Sequence, residues 1–289
     1  MFMQLIASGI AVGSVYALVA LGMTVLFRST TVVNFAHGEF FMLGAFSVLV
    51  ALQLFGWSYG AALLFAVAAL FVVGIAIERG LMRPLQHAPH VSLAMMTVAL
   101  SFLLRGVARF FYGREVIALP PILEGEPLML GDVVLLPQDL LIIGFSFLVV
   151  LGFYWFFQKT RTGKVVQVAS QTPRGALLVG IDVPRLRNVM WGVGAAMGAI
   201  AGILIAPSTL VYPDMGGHML IRGFAAMTLG GFGSLSGAIV GGLALGVLEN
   251  VIGGYVSSAM VEITAYLVIL LVLIARPQGL LGEWRQGRA

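Results

Sequence analysis

Long apolar runs separated by short polar segments are the feature that most constrains how this chain can fold. Most runs are continuous over about 20 residues, the length at which an α-helix crosses the hydrocarbon core of a bilayer. The strands of a membrane β-barrel would instead give alternating segments of about ten residues. We therefore predict helical spans at Phe2–Phe27, Val32–Phe55, Tyr59–Ile77, Val91–Phe111, Val133–Phe157, Asn188–Pro207, Ile239–Ile252 and Val256–Ala275.

The composition indicates the same fold class. Of the 289 residues, 60% are hydrophobic and only 10% are charged, whereas a soluble domain carries about 25% charged residues. This composition argues against a soluble enzyme, a disordered chain and a protein that binds nucleic acid. The lack of cysteine excludes disulfides and thiol catalysis. We predict an all-α polytopic membrane protein in a lipid bilayer, with one transmembrane domain over residues 1–289.

A further apolar stretch, Met219–Phe232, is too short for a full span and is rich in glycine. It predicts a half-helix, a re-entrant helix or a short tilted crossing. Non-helical backbone at that depth is tolerated only inside a bundle or facing a cavity. The expected fold is therefore about eight transmembrane helices plus this short helix.

The distribution of basic residues predicts the orientation. With the N-terminus outside and Met219–Phe232 counted as a crossing, 12 of the 16 Lys and Arg residues fall on one side. The loop at residues 112–132 falls on the other side and is acidic. The positive-inside rule then places the basic side in the cytoplasm. The basic set is Arg28, Arg79, Arg83, Lys159, Arg161, Lys164, Arg174, Arg185, Arg187, Arg276, Arg285 and Arg288.

The longest segment on the basic side, residues 158–187, contains a candidate short helix. Between two prolines, the stretch Arg174–Asp182 has apolar residues at helical spacing and a helix-terminating residue at Gly180. It is too short and too polar to span a bilayer. Either membrane-surface packing or docking to a cytoplasmic partner protein covers its apolar face, and the residues alone leave both open.

A weak internal repeat is also present. Gly38–Ala45 and Gly231–Ala238 share the pattern Gly-x5-Gly-Ala, and each follows a span with regularly spaced glycines. In the orientation above, those two spans run in opposite directions. An inverted repeat is typical of transporters, in which the pathway lies between the two halves.

The stretch Asn34–Glu39 brings polar groups to the cytoplasmic end of the second predicted span. In one interpretation Asn34 caps the helix and Glu39 favours its first turns. In another, the stretch belongs to a gate or to the substrate pathway. In the third, His37 and Glu39 form a proton relay, which is the weakest interpretation because no acidic or histidine partner recurs inside other spans.

A few charged residues lie inside other predicted spans. Arg105 and Arg109 lie on one face of the fourth span, in its outer half. They either reach the outer surface or form a cationic wall at the outer mouth that attracts a carboxylate. Glu249 and Glu262 in the last two spans either sit at an interface or pair with an arginine, for which Arg222 is a candidate.

The sequence lacks the common catalytic and nucleotide-binding motifs. It has no Gly-x4-Gly-Lys-[Ser/Thr] loop to hold ATP, no HExxH metal motif and no Gly-x-Ser-x-Gly elbow. We expect a chain that is not itself an enzyme and holds no cofactor or metal. Energy for uphill transport would come from an ion gradient or from another chain.

Several motifs in a fixed order resemble those of one family. Asn34–Ala45 closely resembles the signature of the branched-chain amino acid ABC importer permeases of the LivH type. Arg83–Leu85, Gly230–Ala238 and Arg276–Gly282 resemble its other landmarks, so the resemblance covers nearly the whole chain. In the cytoplasmic segment Gly180–Asp182 is kept, while the part before it departs from the family pattern.

The resemblance implies a division of labour among subunits. A second homologous, LivM-like permease would complete the pathway, and a periplasmic solute-binding protein would deliver branched-chain or related amino acids. Two cytoplasmic ABC ATPases would bind ATP and magnesium, dock on segment 158–187 and drive alternating access. Relatives also carry urea, amides or aromatic and other organic acids. A proton-coupled secondary transporter using His37 and Glu39 remains the alternative from another class.

Together these inferences give a set of expected sites. Residues 158–187 form the cytoplasmic coupling loop and residues 112–132 the periplasmic loop of a bacterial inner-membrane protein. Its N-terminus is periplasmic and its C-terminus cytoplasmic. The candidate outer-mouth charges are Arg105 and Arg109. The ATPase-coupling positions are Arg174, Gly175, Ala176, Leu177, Leu178, Val179, Gly180, Ile181 and Asp182. The pathway or gate positions are Asn34, His37, Gly38, Glu39, Gly44, Gly230, Gly231 and Gly233.

Overall fold

The computed structural model describes residues 1–131, 133–171, 176 and 180–282. Within these ranges ten α-helices accompany a hairpin of β1 (Leu128–Leu130) and β2 (Val133–Leu135) and a π-helical turn at Glu78–Met82. The predicted coupling positions Arg174, Gly175, Leu177, Leu178 and Val179 lie outside the described residues. The helices are α1 (Phe2–Thr30), α2 (His37–Gln53), α3 (Tyr59–Ile77), α4 (His90–Tyr112), α5 (Pro137–Lys159), α6 (Arg161–Gln171), α7 (Val183–Ile205), α8 (Met215–Gly230), α9 (Leu235–Tyr255) and α10 (Ser258–Ala275).

The helices match the predicted apolar runs. Seven of those described are long and apolar enough to cross a membrane, and α2 and α8 are shorter, at 17 and 16 residues. Each predicted run overlaps one helix, and the short stretch Met219–Phe232 corresponds to α8. The prediction of an all-α polytopic membrane protein is confirmed. One boundary shifts, because Val133–Leu135 pairs with β1 and α5 begins only at Pro137.

The predicted second span, Val32–Phe55, is wrong at its beginning. Residues 31–36 are not helical, and α2 starts at His37, whose ring lies against Gly22 of α1. At a rise of about 1.5 Å per residue, Gly22 lies about 12 Å before the end of α1. The stretch Asn34–Glu39 therefore lies inside the bundle rather than at its cytoplasmic end, because the chain folds back along α1 before α2 begins.

The order of elements repeats once in the opposite orientation. Each half begins with a central helix, α1 or α7, and continues with a non-helical segment and a short helix, α2 or α8. Two further membrane helices complete each half. α1 and α9 pack antiparallel, with Gly9 beside Val247 and Gly13 beside Leu243, and α7 packs on α3 in the corresponding position. The inverted repeat therefore relates α1–α4 to α7–α10.

The register of this repeat differs from the one in the sequence match. Gly38 and Gly216 lie in the first turns of the two short helices and face each other backbone to backbone. Gly38–Ala45 therefore corresponds to the start of α8. Gly231–Ala238 instead connects α8 to α9. The shared Gly-x5-Gly-Ala pattern does not mark equivalent positions, because a glycine-rich chain produces such matches wherever helices pack closely.

The central helices α1 and α7 are mostly buried, whereas α4, α5 and α10 form the periphery. The peripheral helices keep large apolar side chains exposed, among them Phe102, Phe147 and Leu270. On a membrane protein such a surface faces lipid or another subunit. In the centre, the small residues Gly9 and Gly13 let α1 approach the backbone of α9, as expected of small residues four apart.

The start of α1 and the described C-terminal segment lie at opposite ends of the bundle. Near its start, the Gln4 side chain bonds the backbone of Val134 in β2. At the other end of α1, Arg28 Nε donates to the Gly233 carbonyl at 2.6 Å, and Leu281 borders the same cavity. The chain therefore crosses an odd number of times, which requires α8 to be counted as a crossing.

Candidate functional site

The two short helices meet at their N-termini in the interior of the bundle. A Cβ atom added to Gly216 would lie 2.5 Å from the carbonyl oxygen of Gly38, so neither position has room for a side chain. Asn34 Oδ1 accepts a hydrogen bond from the Ala36 amide at 2.9 Å and so shapes the turn before α2. Two helix N-termini bring partial positive charge to one place, which stabilises anionic groups there.

Glu39 lies in the first turn of α2, and its side chain is only 1% exposed. Its Oε1 atom accepts hydrogen bonds from Arg105 at 2.6 Å and from Ser101 at 2.9 Å, both on α4. Its Oε2 atom lies beside Gly216 and has no hydrogen-bond partner within the described residues. A buried carboxylate is stable only when a cation or hydrogen-bond donors compensate it, and Arg105 supplies both.

The charges continue outward through Asp214, the residue before α8. Arg109 lies 2.5 Å and Arg105 3.8 Å from the same oxygen of Asp214. Exposure of the side chains rises outward, from 1% for Glu39 and 22% for Arg105 to 42% for Arg109 and 45% for Asp214. These four residues are the outer ion-pair network. The two predicted outer-mouth arginines are thus paired with carboxylates of the protein itself.

His37 projects from the face of α2 opposite to Glu39. Its ring packs edge-on against Phe40, with 5.9 Å between centroids, and lies against Gly22 of α1 and Gly198 of α7. Within the described ranges neither ring nitrogen bonds Glu39 or another side chain, and the ring lies close to the backbone of Val19. The structure therefore does not bring together the two groups of the hypothetical proton relay.

A second buried charge cluster connects α1, α8 and α9. Tyr16 on α1 donates a hydrogen bond to Glu249 on α9 at 2.7 Å. Arg222 Nε on α8 lies 3.3 Å from both oxygens of Glu249, and the guanidinium lies 5.9 Å from the centre of the Tyr16 ring. The expectation that Arg222 pairs with one of the two glutamates is confirmed for Glu249. Tyr16 was missed, because nothing in the sequence distinguishes it from other aromatic residues of a span.

The remaining predicted gate glycines lie in two other places. Gly44 packs against α7 in the interior. Gly230, Gly231 and Gly233 lie at the far end of α8, about 20 Å from Gly216 at about 1.5 Å per residue. Gly231 and Gly233 have φ angles of 112° and 77°, which favour glycine. The predicted pathway positions therefore fall at both ends of α8 rather than in one site.

Four of the predicted coupling positions belong to the described residues. Ala176 is buried, and its carbonyl accepts a hydrogen bond from the Ile181 amide at 3.0 Å. Gly180 has a φ angle of 79°, which suits a residue without a side chain. Asp182 caps α7 by accepting a hydrogen bond from the Arg185 amide at 3.0 Å. Gly180, Ile181 and Asp182 therefore form the turn that leads directly into the second central helix.

A further buried ion pair lies near this turn. Glu78 in the π-helical turn is 1% exposed and lies 3.5 Å from Arg187 at the start of α7. The side-chain amide of Asn188 also contacts Glu78. Sequence reasoning missed this cluster because Glu78 precedes Arg79 and looks like part of a polar loop. The pair ties α3 of the first half to α7 of the second.

Two cavities lie between the helices, and one of them adjoins a buried charge cluster. One of about 630 Å³ lies at the Arg28 end, between α1, α5 and the start of α9. Another of about 260 Å³ lies between α8, α10 and residues 209–212, and both Arg222 and Glu262 line it. In the part of the chain that the structure describes, no three His, Asp or Glu side chains are arranged to hold a metal ion.

An inverted repeat of apolar helices with ionisable groups buried between its halves is the architecture of a membrane transport protein. The comparison with known families agrees with this class. The chain belongs to the family described as "Branched-chain amino acid transport system / permease component", whose model matches residues 5–276. It is therefore a multi-pass membrane permease of the ABC transporter class.

Individual relatives match over nearly their whole length. The high-affinity branched-chain amino acid transport system permease protein LivH of Escherichia coli K12 is 29% identical, over 98% of this chain and 96% of its own. The corresponding protein BraD of Pseudomonas aeruginosa is 30% identical, with the same coverage. The solved structure of PsaBC from Streptococcus pneumoniae in complex with Fab matches with a TM-score of 0.50 and 18% identity, over 96% of this chain and 92% of that chain. That likeness supports the fold alone.

Proposed function

We propose that this chain is the transmembrane subunit of an ABC importer for branched-chain or related amino acids. It forms half of the pathway together with a second, LivM-like permease and receives its solute from a periplasmic binding protein. Two cytoplasmic ATPases bind ATP and magnesium and drive the cycle. Membership of the permease family supports this assignment. The positive-inside rule supports a periplasmic N-terminus and a cytoplasmic C-terminus.

The packing of segment 158–187 on the bundle is the observation that carries the coupling proposal. Val166 and Ala176 form one buried apolar cluster with Val25 of α1, Phe157 of α5 and Met190 of α7. Protein interiors are close-packed and transmit displacements rather than absorbing them. A force that a partner ATPase applies to this segment therefore reaches both central helices.

Alternating access follows from this coupling. Closure of the ATPases on ATP favours one arrangement of the two halves over the other, which requires contacts that differ between the two states. At Gly38 and Gly216 the two halves approach backbone to backbone, with the side chains of Glu39 and Leu220 beside the contact. Packing of α1 on α9 and of α7 on α3 also joins the halves, so a turn of one half on the other must rearrange these contacts. The ion pairs that join the halves, such as Arg109 with Asp214, are contacts whose lengths can change during such a turn.

The test is a pair of substitutions at Gly180. An added Cβ would meet no atom within 4 Å, so space does not limit the substitution, and the φ angle of 79° strains alanine and glutamate alike. The variants are therefore compared in the importer reconstituted with its ATPases, permease partner and binding protein. We expect Gly180→Glu to abolish ATP-dependent uptake and ATPase co-purification, and Gly180→Ala to retain most of both. Normal uptake and co-purification for Gly180→Glu would contradict the proposal.

A further inference from the structure

The cavity between α8 and α10 has walls of two kinds. Its volume of about 260 Å³ equals that of about nine water molecules at about 30 Å³ each, which suits a small amino acid. Apolar side chains from several elements line one part, among them Phe41, Leu210 and Met219. Arg222 and Glu262 line the rest and carry opposite charges. The cavity therefore offers a cation, an anion and an apolar surface within one small volume.

Arg222 presents its guanidinium to the cavity. Its Nε atom contacts Glu249 at 3.3 Å. The side chain is 19% exposed, so a ligand in the cavity can reach it. Tyr16 beneath the guanidinium and Glu249 beside it fix the orientation of Arg222. A guanidinium held in this way is suited to a carboxylate, which it binds through two parallel hydrogen bonds.

Glu262 supplies the opposite charge across the cavity. It is exposed and interacts electrostatically with Arg222, yet the two side chains form no direct ion pair in the described part of the chain. The carboxylate of Glu262 is thus near the guanidinium of Arg222 but remains available to pair with a ligand. A ligand that carries both charges can bridge the space between them.

The charge balance selects among the solutes that such a permease could carry. Glu249 already compensates the charge of Arg222, and Glu262 lines the cavity together with the imidazole of His218, so a simple organic anion gains little from the guanidinium. A neutral solute such as urea gains nothing from either charge. A zwitterion places its carboxylate on Arg222 and its ammonium group on Glu262. The apolar wall then accepts an aliphatic side chain.

We infer that this cavity is a binding subsite for a zwitterionic amino acid with an apolar side chain. The carboxylate of the ligand accepts hydrogen bonds from the terminal nitrogens of Arg222. Its ammonium group pairs with Glu262, and its side chain lies against Phe41, Leu210 and Met219. The inference rests on the proposed importer function and names the solute contacts that this permease makes itself, apart from those of any binding protein.

The experiment measures binding of three probes to the purified permease complex in detergent, without ATP or binding protein. The probes are L-leucine, isocaproate, which lacks the ammonium group, and isoamylamine, which lacks the carboxylate. We expect only leucine to bind in calorimetry, and Glu262→Gln to weaken leucine binding about tenfold, as loss of one charged contact predicts. The matched control is Glu115→Gln, an exposed carboxylate in the outer loop, which should leave binding unchanged.

A variant of Arg222 tests the other half of the subsite. Arg222→Lys keeps the positive charge but loses the fork that binds both oxygens of a carboxylate, so leucine binding should weaken while the complex still assembles. Equal binding of leucine and isocaproate would overturn the inference, as would unchanged leucine binding in Glu262→Gln or no leucine binding by the unaltered protein. ATP-dependent uptake, measured separately, decides the importer function, so the two failures are distinguishable.

Discussion

Equivalent helices of the two halves carry charges of opposite sign, at different positions along each helix. In the first half, Glu39 on α2 meets Arg105 on α4 at 2.6 Å, and the carboxylate is buried. In the second half, the arginine is on the short helix as Arg222 and the carboxylate is on α10 as Glu262, with a cavity between them. The first pair is closed by the protein itself and the second is open. The comparison indicates that one half uses its charges to hold helices together, whereas the charges of the other half border a cavity.

The largest effect should come from breaking the closed pair. Arg105→Gln leaves Glu39 buried without its cation, which we expect to lower the free energy of unfolding by about 3–5 kcal/mol. Glu262→Gln removes a charge from the open pair and should change the same quantity by less than about 0.5 kcal/mol. Denaturant unfolding in detergent measures both.

A double variant controls for the first prediction. Glu39→Gln combined with Arg105→Gln removes the uncompensated charge and should recover part of the lost stability. If Arg105→Gln and Glu262→Gln destabilised the protein equally, the distinction between a closed and an open pair would be lost.

A smaller effect is expected at the contact between the halves. Gly38→Ala directs a methyl group at the Gly216 backbone, where there is no room, and overpacking of this kind costs about 1–3 kcal/mol. The matched control is Gly106→Ala in α4, where an added Cβ meets no atom within 4 Å. That change should be neutral or stabilising, since alanine favours a helix by about 0.5–1 kcal/mol over glycine. Thermal unfolding that ranks the two variants the other way would show that the contact is loose.

The smallest loss of stability is expected at the exposed end of the outer ion-pair network, and it should differ in salt dependence from the loss at the buried end. Arg109 and Asp214 are 42% and 45% exposed, so their pair is screened by solvent. Arg109→Gln should lower the unfolding free energy by at most about 1 kcal/mol. At about 1 M salt this loss should vanish, because the screening length falls to about 3 Å. The loss in Arg105→Gln should persist at the same salt, and a salt-sensitive Arg105 variant would place Glu39 in contact with solvent.

The apolar runs were sufficient to predict the helices, because each must shield its own backbone hydrogen bonds in lipid. The break at residues 31–36 could not be predicted in the same way. Val32 and Val33 are as apolar as the helix that follows, and hydropathy does not register a loss of helical geometry. Asn34 was the one local residue that favoured a break in the helix. Its side chain accepts a hydrogen bond from the Ala36 amide and so forms the turn before α2.

Of the buried ion pairs, some were predicted from the sequence and others were not. Arg222 was predicted as a candidate partner of Glu249 or Glu262 because all three are charged residues inside apolar stretches, and it pairs with Glu249. Glu39 and Arg105 were assigned to different depths, since a continuous second span would have kept Glu39 at the cytoplasmic end. Their contact arises only because the chain folds back before α2. Pairings that depend on a non-helical segment inside the bundle are therefore among those that sequence reasoning missed, together with Glu78–Arg187 and Tyr16–Glu249.

The burial of α1 has a consequence for how the protein is made. This helix leaves the ribosome well before α9, yet its glycine face at Gly9 and Gly13 packs on Leu243 and Val247, which are synthesised more than two hundred residues later. Until α9 is inserted, that face is open to lipid or to a chaperone. Assembly of the centre is therefore completed only after α9 has been made, and a chain truncated before α9 would leave the glycine face of α1 uncovered.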